Sequence, residues 1–98
     1  MEIIIAYDVN IRQGEVKTQM LNEGFFDNII RDRVTYYLPD TTLYHPNLVN
    51  PTTAKNIFER IIRELNQDQA PNRVIRIKRV MAFQLVAGWS PLPGDPHA

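Results

Sequence analysis

Three groups of side chains have the types that chemistry needs. Asp8 ends the run IIIAYDVN, residues 3–10, in which three branched apolar residues, Ala6 and Tyr7 lead into a carboxylate. A hard divalent cation takes several oxygen ligands, so one aspartate is too few. Two symmetry-related copies of Asp8, with water and a phosphate, could supply them, and the metal would then polarise a phosphodiester and activate water. The other reading of Asp8 is a cap on the following turn, made to its own backbone amides. The second group is Arg73, Arg76, Lys78 and Arg79, within RVIRIKR. In an extended strand Arg76 and Lys78 share one face, with Arg73 and Arg79 flanking them on the other parity. Doubled in a dimer, this cluster could follow a nucleic-acid backbone, with Arg31 and Arg33 adding to it. The alternative is a solvated charged face whose field Asp32, Asp40, Glu15 and Glu23 cancel.

His45, in LYHPN, would need a partner within hydrogen-bond reach to act as a general base. The sequence names none, so a surface histidine at a strand end is expected, and His97 falls in the tail. Tyr36, Tyr37 and Tyr44 could stack bases on a sheet. The glycine-flanked aromatic signature of RNA-binding sheets is absent from residues 74–83, which leaves core or dimer packing as the expectation for them. Trp89 reads as an interface anchor. There is no glycine-rich phosphate loop, nucleophile elbow or paired His/Cys metal spacing.

The whole chain bounds these readings. Ninety-eight residues make one domain with a modest core, for which dimerisation is a way to bury more. Lysine plus arginine and aspartate plus glutamate stand at 11 each, and this neutrality argues mildly against a dedicated nucleic-acid binder. The absence of cysteine removes disulfides, thiolate catalysis and the usual zinc sites. No apolar run approaches a membrane span and no secretory leader pattern opens the chain, so no membrane partner and a cytoplasmic location are expected.

The elements that must position these groups follow from periodicity. Residues 2–8 read as a central strand. EVKTQMLNEG reads as a helix with Val16, Met20 and Leu21 inward, closed by Gly24 in a left-handed cap with Phe25 as its apolar contact. Val34, Tyr36 and Leu38 alternate with Thr35 and Tyr37, and extended character resumes at TTLYH. Two antiparallel strands around a turn near Pro39–Asp40, or one long bent strand, both fit. Ala54, Ile57, Phe58, Ile61, Ile62 and Leu65 form one helical stripe, capped by Asn50 with Pro51 in the first turn or by Thr52. Glu59–Arg63 and Arg60–Glu64 are expected as ion pairs on its wet side. Residues 73–89 read as extended, and MAFQLVAGW is apolar enough to add to the sheet of a second copy. SPLPGDPHA is a tail.

Strand, helix, two strands, helix, strand is the order of an α+β, ferredoxin-like βαββαβ sandwich. Here it carries an extra C-terminal strand and is expected to be homodimeric, with residues 1–90 as its single domain and 91–98 as the tail. A first strand ending in Tyr7-Asp8, the glycine of LNEG after the first helix and the C-terminal extension resemble the small CRISPR-associated endonuclease family. They resemble its wider superfamily of toxin and antitoxin-type ribonucleases too, including the virulence-associated protein D group. The resemblance spans roughly residues 1–90 and implies a homodimer in which the last strand crosses to the partner. It also implies that Asp8 from each subunit binds a divalent metal such as Mg2+ near the dimer axis, for endonuclease or endoribonuclease action on RNA or DNA. The chain departs from that family in the stretch after the first helix and in the longer YYLPDTTLYHPN segment. A non-catalytic dimeric module that binds a protein, a small ligand or nucleic acid is the alternative.

Overall fold

A computed structural model describes residues 1–86. Strand β1 (Ile3–Val9) is central, with β4 (Thr42–His45) and β5 (Ile77–Gln84) antiparallel on either side. Its alternation sorts the two faces of this sheet. Ile3, Ile5, Tyr7 and Val9 point into the main core, where they meet Val16 and Met20 of α1 (Gln13–Asn22) and Ala54, Phe58, Ile61 and Ile62 of α2 (Pro51–Leu65). Ile4, Ala6 and Asp8 therefore lie on the face away from the helices. There Ile4 packs with Tyr44 and with Ile29 of β2 (Asn28–Arg31).

The helices begin and end as their sequences direct. Asn50 caps α2, its Oδ1 accepting from the Thr53 amide at 2.9 Å, and Pro51 takes the first turn. The α2 stripe is inward as expected, with Ile57 and Leu65 half-buried at its margins. Gly24, at φ 92°, closes α1; the Phe25 amide reaches back to the Met20 carbonyl and the Gly24 amide to that of Leu21. A Cβ at Gly24 would lie 3.1 Å from His45 Nε2, a second reason for glycine there. Leu21 is not inward: it is on the exposed side of α1. Arg60 pairs with Glu64 at 3.1 Å and with Glu23 at 2.6 Å, whereas the expected Glu59–Arg63 pair gives way to Lys55–Glu59 at 3.8 Å.

The turn near Pro39–Asp40 is present, the Thr42 amide bonding to the Pro39 carbonyl at 3.1 Å, but the strands on either side of it are not paired as a hairpin. β2 forms its hairpin with β3 (Val34–Tyr37), and the turn is Asp32–Arg33, both with positive φ as a two-residue hairpin turn requires. β3 and β4 do not pair with each other; they follow one another along the same partner segment. The Leu38 amide bonds to the Asp27 carbonyl, and Tyr44 then exchanges both backbone bonds with Phe26. Between these two contacts the chain makes the Pro39–Thr42 turn and re-enters the sheet at Thr42 opposite Ala6, which is closer to the single bent strand than to a hairpin. The result is a small α+β protein with two helices and two antiparallel sheets, compatible with a ferredoxin-like arrangement. No helix among the described residues is long and apolar enough to cross a membrane.

β5 also departs from expectation. Val80 to Gln84 pair along β1 of the same chain from Tyr7 to Ile3, and the Leu85 amide bonds to the Glu2 carbonyl. Most of MAFQLVAGW is thus a strand of its own subunit's sheet, and Ala87 to Trp89 lie outside the described residues. The outer edge of β5 carries no neighbouring strand among the described residues.

Candidate functional site

Asp8 sits on the sheet face away from the helices, beyond the part that Ile29 covers. Its carboxylate is 3.5 Å from the Arg79 guanidinium, and the two side chains are 44% and 86% exposed. That is its one hydrogen bond among the described residues, so the turn-capping reading of Asp8 is overturned. Asn10, two residues on, ties down a distant segment: its Oδ1 accepts from the Arg76 amide at 2.6 Å and its Nδ2 donates to the Val74 carbonyl at 3.2 Å. Asn66 holds the same segment from the other side. Its Oδ1 accepts from the Ile75 amide at 2.7 Å and its Nδ2 donates to the Ile75 carbonyl at 2.9 Å. Residues 74–76 are clamped by two asparagines just before β5 begins.

The clamp is followed by an irregularity that decides where the basic residues go. Val9 pairs with Ile77 but Asp8 pairs with Arg79, leaving Lys78 as the extra residue of a β-bulge. Simple alternation places Arg79 beside Tyr7's position. The bulge brings it opposite Asp8, on the same face as Met81 and Phe83. The four cations accordingly separate. Arg73 lies against Glu15 at 3.4 Å on the far side, near α1. Arg76 and Lys78 are exposed and form no ion pair among the described residues, and Arg79 forms a single long one. Arg31 is tied to Glu2 at the opposite end of β1 and does not join this group; six residues of strand put it roughly 20 Å away.

Asp8, Arg79 and Met81, with Ala6, Tyr7, Thr41 and Val80, line an open depression of about 540 Å³. The face beside it is apolar and uncovered: Met81 is 66% exposed and Phe83 43%. The donor set does not fit a divalent metal within one chain. It offers a single carboxylate, already facing a guanidinium, and no group of three His, Asp or Glu among the described residues could hold an ion.

His45 is a packing residue. Its ring meets Phe25 edge-on at 5.0 Å, its Nδ1 accepts from the Asn47 amide at 3.0 Å, and no carboxylate pairs with it among the described residues. Burial, with a smaller push from the chain's N-terminal ammonium, holds its pKa below the ordinary histidine value. Tyr44 is buried and its hydroxyl donates to Glu2 at 2.6 Å; Tyr36 is half-buried and Tyr37 exposed on the β2–β3 hairpin.

Two residues to which the sequence assigns no role of their own also matter. Arg12, at φ 59°, has a nearly buried side chain that donates to the carbonyls of Leu65 and Arg73 at 3.0 and 3.1 Å, joining α1, α2 and the run-in to β5. Tyr7 packs on Phe58 at 5.0 Å, and burial, helped by the charge of Asp40, pushes its pKa up to about 12. An arginine opening a helix gives no sign of which carbonyls it will reach. A tyrosine inside an apolar strand reads simply as core.

These features define an α+β protein with a helix-covered sheet face and an opposite face that is apolar, charged at one end and partly open. No family model, curated protein or solved structure matches the chain.

Proposed function

We propose that the chain is a homodimeric, ferredoxin-like module that binds single-stranded nucleic acid along Arg76, Lys78 and Arg79. The observation that carries this reading is the bulge at Lys78. It turns Arg79 onto the open face beside exposed Met81 and Phe83 and leaves Arg76 and Lys78 without carboxylate partners among the described residues. Cations not matched by acids nearby are what a phosphate backbone needs, even in a chain of zero net charge. The uncovered apolar face takes a second copy, which doubles the basic track and hides Met81 and Phe83 from water.

Metal-dependent cleavage, as the resemblance to CRISPR-associated and toxin ribonucleases implies, is the second reading. One observation favours it: Asp8 is exposed and spared from turn capping. It requires the Asp8 of a second copy, because a single chain lacks the ligands. Both readings are separated by one set of incubations with labelled single-stranded RNA and DNA. Binding without cleavage, in the presence and absence of Mg2+, supports the module. Mg2+-dependent cleavage abolished in Asp8→Asn supports the nuclease. Sedimentation of the free protein as a monomer, unaltered in Met81→Glu, would remove the dimer from both.

A further inference from the structure

The two edges of the three-stranded sheet differ. β4, on one side, is taken up at Tyr44, which exchanges both backbone bonds with Phe26. β5, on the other side, has no neighbour among the described residues. Which of its backbone groups face outward follows from one bond. The Leu85 amide donates to the Glu2 carbonyl, and the register is regular from Arg79 to Gln84. In an antiparallel ladder alternate residues direct both their amide and their carbonyl to the same neighbour. Leu85, Phe83 and Met81 therefore turn theirs to β1, and Gln84, Ala82 and Val80 turn theirs to the open edge. Exposed edges are commonly blunted by a charge, a proline or a bulge. The Lys78 bulge does this at one end, but VMAFQ, residues 80–84, carries none of the three. The side chains sort by face: Val80 and Ala82 pack on the main core, while Met81 and Phe83 stand 66% and 43% exposed on the open face.

We infer that a second copy of the chain joins at this edge, β5 against β5 and antiparallel about a two-fold axis at Ala82, so that the two sheets become one. This rests on the homodimer of the functional reading and names how its copies meet; each β5 keeps its place beside its own β1. With Ala82 on the axis, Ala82 bonds to Ala82 and Val80 to Gln84 across the edge, using the outward amides and carbonyls of both copies. Met81 of each copy then lies directly opposite Phe83 of the other, in a pair without ladder bonds, where side chains approach most closely. Two side chains exposed in the single chain thus cover each other, as a self-complementary two-fold interface requires. Charge selects this register. It holds the two Arg79 residues about 20 Å apart along the strands. An axis at Val80 would bring them to the diagonal spacing of about 7–8 Å, with two cations side by side. An axis at Gln84 parts Met81 from Phe83 and sets Phe83 against Leu85, which already packs on the cluster of Ile4 and Ile29. Joining by the edge also leaves Arg79 and the depression beside it open, whereas a copy laid flat over the whole face would close them.

The chain has no cysteine, so an introduced one reports its own contact. A pair without ladder bonds has a Cα separation of about 4.5 Å, within disulfide range. Full-length Met81→Cys and Phe83→Cys proteins are mixed, oxidised gently and compared with each protein alone on a non-reducing gel. The mixture is expected to cross-link roughly tenfold faster than either protein alone, because each cysteine meets the other kind across the axis. Gln84→Pro removes an outward amide from an exposed edge position, and by sedimentation it should weaken the dimer roughly tenfold with its circular dichroism unchanged. A dimer that cross-links no faster in the mixture, or that folded Gln84→Pro leaves equally tight, overturns the inference while the homodimer stands. A monomer at every concentration, its edge then free for an extended peptide of another protein, overturns the inference and the homodimer together. RNA binding by that monomer would keep the nucleic-acid part of the reading. A dimer that cross-links as expected but binds no RNA supports the interface while the nucleic-acid reading falls.

Discussion

Replacing Asn66 by alanine tests the clamp that delivers β5 to the site. The side chain makes two hydrogen bonds to the backbone of Ile75, at 2.7 and 2.9 Å, and Ile75 is 2% exposed. Each bond contributes about 1 kcal/mol net, and a buried backbone group stripped of its partner costs about 1–3 kcal/mol. Asn66 is itself only half-buried, so water can reach part of the vacated space. The expected loss is therefore about 2–4 kcal/mol, a large share of the roughly 5–15 kcal/mol typical of a domain this size. It corresponds to a fall in Tm of roughly 10–25 °C. Urea unfolding followed by circular dichroism gives the free energy, and hydrogen exchange at the Ile75 amide locates it. Asn10 grips the flanking residues Val74 and Arg76, so Asn10→Ala combined with Asn66→Ala should lose less than the sum of the two. A loss below about 0.5 kcal/mol with the Ile75 amide still protected would refute the clamp.

Gly24→Ala is expected to cost about 1–3 kcal/mol in the same urea assay, because φ is 92° and the new Cβ presses on His45; an unchanged midpoint would contradict this. His45 has a lowered pKa, so the unfolded chain binds its proton more readily than the folded one. Its contribution to stability is present above the ordinary histidine pKa and is lost as pH falls through that value toward the folded one. The wild type should accordingly lose more stability than His45→Gln between pH 7.5 and 5, measured as the difference between their urea curves.

The parts of the fold visible in the sequence are those governed by local rules. Asn50–Pro51 and Gly24–Phe25 set helix ends through backbone geometry that needs no distant partner, and the α2 stripe follows from helical period alone. The middle strands were harder. Pro39–Asp40 carries strong turn chemistry, but Asp32–Arg33 makes the hairpin, and non-glycine residues at positive φ leave no mark in a sequence. The site was half legible. Asp8 stands out as a carboxylate ending an apolar strand, but its pairing with Arg79 depends on a one-residue bulge. Alternation sorted Arg76, Lys78 and Arg79 by parity, but the one-residue bulge at Lys78 decides which residue of β1 Arg79 faces. Tyr7 and Asp40 lie 33 positions apart and meet only because the Tyr7 amide bonds to the Thr41 carbonyl at 3.0 Å.

The most direct measurement is the affinity for a fluorescently labelled single-stranded RNA as a function of salt, by anisotropy, for the wild type and for Arg76→Gln combined with Lys78→Gln. Single strands contribute about 0.7 to the logarithmic slope for each phosphate neutralised. Removing two contacts should therefore make the slope shallower by about 1.4 per chain while the protein remains folded. No binding by the wild type, or a slope that the double substitution leaves unchanged, would contradict a nucleic-acid track along the start of β5.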